Sequence, residues 1–471
     1  MFKWFASASN HPLANPKKAR ELLAGLPRDN PLKTIEELSD WIESLPDLKL
    51  EARADLCKLF DEHSQASRRK LGRDYFGADK VQQNRSGFAL HRFADLLAKA
   101  YFSCIESYRS GEKGADAIKS DLPLLICRTI NAIKLQYKWA HLHSGLIDES
   151  IWKKLFWLFA FAEKTGIAQK EITLFPTNEH KTSIKQEFLK ILMISASSPD
   201  ALPPQEFEIA DHIASLLSGH FVLASSANMP HLTHYVDLAS NKPPSRLKSP
   251  FPSSARFFGP GNAYSIVHRL VNEFADGVLQ KITLGGAYSV EQTQAVLKHL
   301  STQWDSRPPL RKNERKPAAV PLGVTCSLDF TEREAWTSEN ISDGGYDAVI
   351  PGELPIWGKI GLLFFSRQAD RWDLCIIRRL NRDDLKRWHV GVEILAKGIQ
   401  PLALEAEGFS IRAALMRLDN GEAEILVDDD GFSPSNSYRV EYDKNTHTLI
   451  PLELLEKGGD FKLWRFRITN S

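Results

Sequence analysis

From Val320 to Leu328 every second residue is apolar or a cysteine: Val320, Leu322, Val324, Cys326 and Leu328 alternate with Pro321, Gly323, Thr325 and Ser327. Side chains alternate across a strand with a period of two, and a helix cannot match that pattern. Further strand candidates follow at 360–365, 372–377 and 390–395, set off by turn-forming residues. Short strands in such a series predict a small antiparallel barrel.

Upstream the period changes. After Thr34-Ile-Glu-Glu37, which has the form of a capping box, Ile35, Leu38, Trp41, Ile42 and Leu45 fall on one helical face. The same spacing runs through 48–63, 88–108, 122–141 and 148–164, with Gly166 closing the last as a C-cap. Trp152, Phe156, Trp157, Phe159 and Phe161 cover nearly all faces of their helix, as in a helix buried on several sides. Paired helices suggest repeat-like packing, but no clean 34-residue period is present. Residues 200–240 carry another helical pattern and the histidines His220, His231 and His234. These lack zinc-helix spacing and read as structural or surface groups. The Pro- and Ser-rich stretch from Lys242 to Gly261 predicts an exposed loop or linker. Helices resume at 265–280 and at 289–304, the second opened by Ser289-Val-Glu-Gln292.

Beyond 398 strands return. Asn420-Gly421 is a hairpin signal between 413–418 and 423–427, and alternation recurs at Tyr438, Val440 and Tyr442 and at Trp464, Phe466 and Ile468. The fold class predicted is α+β and multidomain. An all-α helical region spans 1–305, a small antiparallel β-barrel spans 306–397, and a further β unit, packed on the first, spans 398–471. A chain of 471 residues is long enough for about three domains.

Two motifs flank the first predicted barrel strand. Arg311-Lys-Asn-Glu-Arg315 sets two guanidinium groups four residues apart on a Pro-flanked basic loop. Asn340-Ile-Ser342-Asp-Gly-Gly345 puts two short polar side chains just before paired glycines, at a turn between strand-like segments. An arginine fork can grip a phosphate or the O6/N7 edge of guanine and can stack on a base. Each string alone is commonplace, a solvated loop and an ordinary turn. Their order and spacing around strand-forming segments give them meaning together.

With those motifs and Gly391-Val-Glu-Ile394 at its end, the stretch resembles a PilZ domain, the bacterial receptor module for cyclic di-GMP. The resemblance implies that Arg311 and Arg315 bind the phosphates and guanine Hoogsteen edges. It implies that Asn340 and Ser342 contact a guanine and that Gly345 keeps that face open. Asn340 stands where many members carry Asp, which removes a charged acceptor for the guanine donors. Lys312 and Lys316 add positive field without a fork.

The function this implies is a cytoplasmic cyclic di-GMP receptor. The dinucleotide would be its ligand, with no cofactor or metal, and the helical region would dock a protein partner. Ordering of the arginine loop would re-aim the helical region. The alternative is a helical scaffold whose barrel is a protein–protein module without ligand binding. One dinucleotide or an intercalated pair, and the output pathway, stay open.

Other classes fit poorly. A net charge of +1 argues against a partner that is a nucleic-acid polymer. No Walker A loop, G-x-S-x-G elbow or zinc-hydrolase helix is present, so the chain does not read as an enzyme. Asp428-Asp-Asp430-Gly431 lacks the spacing of a calcium loop. The apolar run 155–162 is too short to span a membrane, which takes about 20 residues. Five scattered cysteines without a C-x-x-C pair predict buried free thiols.

Overall fold

The computed structural model describes residues 13, 16–27, 29–45, 48–144, 147–176, 181–275, 288–307, 314–350, 352–355, 358–383, 385–406, 408–419, 421–428, 431–442, 444–457 and 461–470. The chain divides into two compact units, Met1–Pro199 with Pro204–Pro309, and Asp200–Pro203 with Leu310–Ser471.

The first unit is built on eleven α-helices among the described residues: α1 (Pro16–Ala24), α2 (Pro31–Glu43), α3 (Leu50–Tyr75), α4 (Lys80–Arg109), α5 (Ala115–Ile118), α6 (Leu122–Trp139), α7 (Ser150–Lys164), α8 (Ile184–Ser195), α9 (Pro204–Leu216), α10 (Asn262–Ala275) and α11 (Val290–Gln303). Their apolar stripes meet in a core that buries Phe60, Phe93, Tyr101, Phe156 and Phe188 completely or nearly so. In α7, Trp152, Phe156 and Phe159 are buried, while Trp157 stacks on Phe161 with centroids 5.4 Å apart. The aromatic helix is therefore a packing element. The helix α2 starts earlier than the Thr34 pattern suggests. Asn30 is its N-cap, accepting from Lys33 N at 3.0 Å, and Pro31 occupies its first turn. Thr34 lies inside the helix and donates to the Pro27 carbonyl at 2.8 Å. At α11 the capping box forms as expected, with Ser289 and Gln292 bonding each other's backbone N–H.

Strands also occur in this unit, where the sequence suggested further helix and an exposed loop or linker. The short β1 (Ile172–Thr173) and β2 (Lys181–Thr182) pair with each other. The strands β3 (Val222–Ala224), β4 (His234–Asp237), β5 (Ser245–Arg246) and β6 (Ala255–Gly259) form an antiparallel sheet in the order β3-β6-β4-β5. Phe257 and Phe258 of β6 are buried, and His234 lies 5.6 Å from the Phe258 ring. His231 and His234 thus sit on a turn and a strand, and no helix face joins them.

Among the described residues the second unit is all-β apart from its four-residue segment Asp200–Pro203. It contains β7 (Lys316–Pro317), β8 (Pro321–Thr325), β9 (Glu334–Ser342), β10 (Gly345–Ile350), β11 (Leu363–Gln368), β12 (Arg371–Arg382) and β13 (Trp388–Lys397). These run β10-β13-β12-β11-β8-β9-β7, and a further β9–β10 pairing closes six of them into a barrel. Its interior holds Leu322, Val324, Trp336, Tyr346, Phe364 and Ile377, so the alternation seen at 320–324 is the barrel's inside–outside alternation. A second closed barrel follows, of β14 (Gln400–Ala406), β15 (Phe409–Asp419), β16 (Glu422–Asp428), β17 (Tyr438–Tyr442), β18 (Asn445–Lys457) and β19 (Phe461–Asn470). A third apolar cluster joins the barrels: Leu363, Phe365 and Leu374 from the first pack with Ala414, Leu426 and Phe461 from the second. Closure pairs the six strands of each barrel on both sides, β7 alone lying as a short edge on the first, and the shared core binds the two together. Asn420, Asp429 and Asp430 lie outside the described residues.

Candidate ligand-binding site

Asn340 and Gly345 belong to one hairpin, β9–β10, whose two-residue turn is Asp343-Gly344 and whose first pair is Ser342↔Gly345. Along β9, Trp336 and Ser338 point inward. Continued alternation would turn Asn340 inward as well. A bulge prevents this: Asn340 pairs with Asp347 and Ser338 with Ala348, which leaves Glu339 unpaired against β10. The extra residue re-aims Asn340 to the outer face, beside Asp347. Ser338 secures the bulge, since its Oγ accepts from Val320 N at 2.9 Å and bonds the Ala318 carbonyl.

On that outer face the register lays out a row across the sheet. Asn340 of β9 pairs with Asp347 of β10, Asp347 with Gly391 of β13, and Gly391 with Arg379 of β12. Gly391 has no side chain to separate its neighbours, so the Arg379 guanidinium reaches across it to Asp347 Oδ1 at 3.2 Å. Arg315, just before β7, approaches from the other side. Its Nη1 donates to Asn340 Oδ1 at 3.2 Å and to Asp347 Oδ2. Asn340 Nδ2 donates to the same Asp347 Oδ2 at 3.1 Å. Burial pushes the Asp347 carboxyl up, but the hydrogen bonds from Arg315 and Asn340 and the Arg379 charge outweigh it and hold the group below its usual range.

Of the residues singled out from the sequence, Arg315 and Asn340 touch. Ser342 lies two residues along β9, where its hydroxyl donates to the Gly345 carbonyl at 3.0 Å and ties the hairpin. Gly345 has φ of +155°, and a Cβ there would overlap the Val392 carbonyl oxygen, so it lets β10 lie against β13. Arg311 and Lys312 fall outside the described residues. Asp347 and Arg379 were not read from the sequence. Asp347 carried a signal, being two residues after Gly345 on the strand's outward face. Two positions along the same face, His389 lies between Asp383 (3.0 Å) and Glu339 (3.3 Å).

Arg315 Nη1 makes both of its bonds. The Nε and Nη2 edge of the guanidinium has no partner among the described residues, so a two-pronged donor edge is available beside a sheet face. Among those residues no group of three metal-ligating side chains occurs. No helix among them is long and apolar enough to cross a membrane.

Fold and site together define a protein with a helical unit and a tandem-barrel unit whose first barrel presents an arginine fork beside a polar hairpin. Residues 17–228, most of the helical unit, match the family model described as the N-terminal domain of the cyclic-di-GMP receptor FimW. No curated protein and no solved structure matches the chain.

Proposed function

We propose that the chain is a cyclic di-GMP receptor. It binds the dinucleotide on its first, PilZ-like barrel, and its helical unit carries the output to a protein partner. The observation that carries the reading is the convergence of Arg315 on Asn340 across 25 residues of sequence, with the free guanidinium edge beside them. A second pointer comes from a part of the chain that shares no residue with that motif. The family model matched by residues 17–228 bears the name of a cyclic-di-GMP receptor.

In this reading Asp347 and Asn340 hold Arg315 by one nitrogen, and its remaining edge takes a phosphate or guanine Hoogsteen edge in two bonds. Arg311, from the same loop, supplies the second fork. Asn340 and Ser342 read a guanine edge from the hairpin, and Gly345 keeps the hairpin flat against its neighbour. The recognition is electrostatic and by stacking, with no bond of the nucleotide broken. Capture of the ligand orders the arginine loop, which lies between α11 and β7, and so re-aims the helical unit. None of the five cysteines is in a disulfide, as suits a reducing cytoplasm.

The test is calorimetric titration of cyclic di-GMP into the full chain and into Arg311→Ala and Arg315→Ala. Bonds to charged groups contribute about 1.5–3 kcal/mol each, so loss of either fork weakens binding at least tenfold. A micromolar binding event that is lost in both variants supports the receptor, even where a second, separate event remains. Absence of heat with folded wild-type protein turns the reading to a helical scaffold with a protein-binding barrel.

A further inference from the structure

The helical unit contains an open groove of about 890 Å³, within the range of roughly 300–1,000 Å³ typical of ligand pockets. Helices that pack against each other normally fill such a space with apolar side chains. Here each surrounding helix turns a largely polar stripe toward it. On α3 the stripe is Gln65, Arg69, Gly72 and Arg73, with Phe76 just past the helix end. On α6 it is Asn131, Leu135, Lys138 and Trp139, and on α9 it is Gln205, Glu208 and His212. Spacings of three, four and seven place each set on one face of its helix.

The far wall is a connected polar network. Tyr288 Oη lies 3.4 Å from His212 Nδ1, His212 Nε2 lies 3.2 Å from Glu208, and Glu208 pairs with Lys138. Gln292 bonds Gln205 at 2.7 Å, linking α11 to α9. The near wall is different. Arg68 is neutralised by Asp61 at 2.8 Å, but Arg69 and Arg73 are exposed and have no hydrogen-bond or ion-pair partner among the described residues. Four residues apart on one helix, they repel each other. Between them Gly72 lines the groove without a side chain, and a Cβ there would make ordinary van der Waals contact with the edge of the buried Trp139 ring, at 3.7 Å. Glycine inside a helix weakens it relative to alanine. Two guanidiniums without a partner among the described residues and a helix surface without a side chain at Gly72 work against simple packing, while Trp139 and Phe175 form the groove's buried floor and Phe76 and Tyr288 line its side.

We propose that this groove is a second, separate binding site, for a phosphate-bearing ligand with a planar ring, the chemistry of a nucleotide. Arg69 and Arg73 take the phosphate as a paired fork. The ring enters beside Gly72 and Trp139, against Phe76 and Tyr288, and the Tyr288–His212–Glu208 network offers donors and acceptors to its edge. The site lies wholly in the helical unit and does not depend on the barrel.

The test uses the full chain carrying Arg315→Ala, so that the proposed barrel site is disabled. Cyclic di-GMP, GMP and inorganic phosphate are each titrated and followed by calorimetry and tryptophan fluorescence. Binding of a nucleotide is expected, with phosphate at least tenfold weaker. Adding Arg69→Gln with Arg73→Gln, or Gly72→Leu alone, should each weaken it tenfold or more while circular dichroism stays unchanged. Preference for cyclic di-GMP over GMP would identify the second site as one for the dinucleotide, and the reverse as one for mononucleotides; either supports the proposal. It is overturned if neither nucleotide binds, if phosphate binds as tightly, or if both sets of variants leave binding intact.

Discussion

The Asp347 cluster makes an ordered set of energetic claims. Its carboxylate accepts from Arg315, Asn340 and Arg379, and the side chains of Asp347, Arg315 and Arg379 are 15%, 22% and 39% exposed. Exposed ion pairs contribute about 0–1 kcal/mol and buried bonds to charge about 1.5–3 kcal/mol. Partial burial sets the Arg315 contact at about 1–1.5 kcal/mol and the more exposed Arg379 contact at about 0.5 kcal/mol. Arg315→Ala leaves Asp347 with two partners and should cost about 1–1.5 kcal/mol. Asp347→Ala removes the shared acceptor of Arg315, Arg379 and Asn340 at once, leaving Arg315 its bond to Asn340 and Arg379 its pairing with Asp200 at 3.5 Å, so about 2–3 kcal/mol is expected. The double variant should cost little more than Asp347→Ala, a coupling of about 1 kcal/mol. A chain of two units does not melt in one step, so the assay must be local. Hydrogen exchange of the β10 and β13 amides reports the opening of this part of the sheet. A cost of about 2 kcal/mol speeds that exchange roughly 30-fold. The reasoning fails if Asp347→Ala opens these strands no more than Arg315→Ala, or if the two costs simply add.

Three other expectations follow from the same structure. Because the folded Asp347 carboxyl sits below its usual range, its contribution is fully present above the unfolded value of about 3.9 and is lost as pH falls through the folded value. The difference in β10 opening between wild type and Asp347→Asn should therefore hold from neutral pH to about pH 5 and close in more acid solution. Gly345→Ala must push β10 away from the Val392 carbonyl, and a loss of about 2 kcal/mol in hydrogen-exchange stability of β10 is expected. Phe365→Ala removes a fully buried ring packed on Phe330 and Phe461, at 4.8 and 5.2 Å, from the core shared by the barrels. Its cost should be about 3–5 kcal/mol, with separate melting of the two barrels by calorimetry.

The parts of this architecture that were legible are those with a period or with clear turn signals at both ends. The strand β8 announces itself by alternation, β11, β12 and β13 by short apolar runs between turn-forming residues, and α2, α3, α4 and α6 by an apolar stripe. Elements with neither stay hidden. Eight of the twelve residues of α8 are buried, so no polar face marks its period. The strands β3 to β6 have two to five residues, too few for a period to show, and Ala255–Gly259 is buried on almost every residue. The start of α2 was misplaced for a different reason. Asn30-Pro31 is the stronger start signal, and Thr34 spends its hydroxyl on the Pro27 carbonyl.

The candidate site divides along the same line. Arg315, Asn340 and Ser342 stand in strings whose spacing is visible in one dimension. Arg379 reaches Asp347 only because register places Gly391 between their strands, and register is a tertiary fact. The bulge at Glu339 is equally silent in sequence, yet it decides which face Asn340 takes.

These hidden parts determine what the visible motif can do. A guanidinium presents five N–H donors in a fixed plane, and a phosphate or guanine edge needs two of them side by side. Had Asp347 taken both terminal nitrogens of Arg315, the cluster would have been a closed salt bridge competing with any ligand. Asp347 and Asn340 instead share Nη1. That single point of attachment fixes the plane of the guanidinium and leaves the Nε–Nη2 edge outward. Lysine at 315 would keep the charge and the attraction to Asp347 but present no fork, so under the proposed function it should hold the sheet together and still fail to grip cyclic di-GMP. Arg379, holding the other carboxylate oxygen, keeps Asp347 turned toward this arrangement. The carboxylate thus acts on Arg315 as a positioning group.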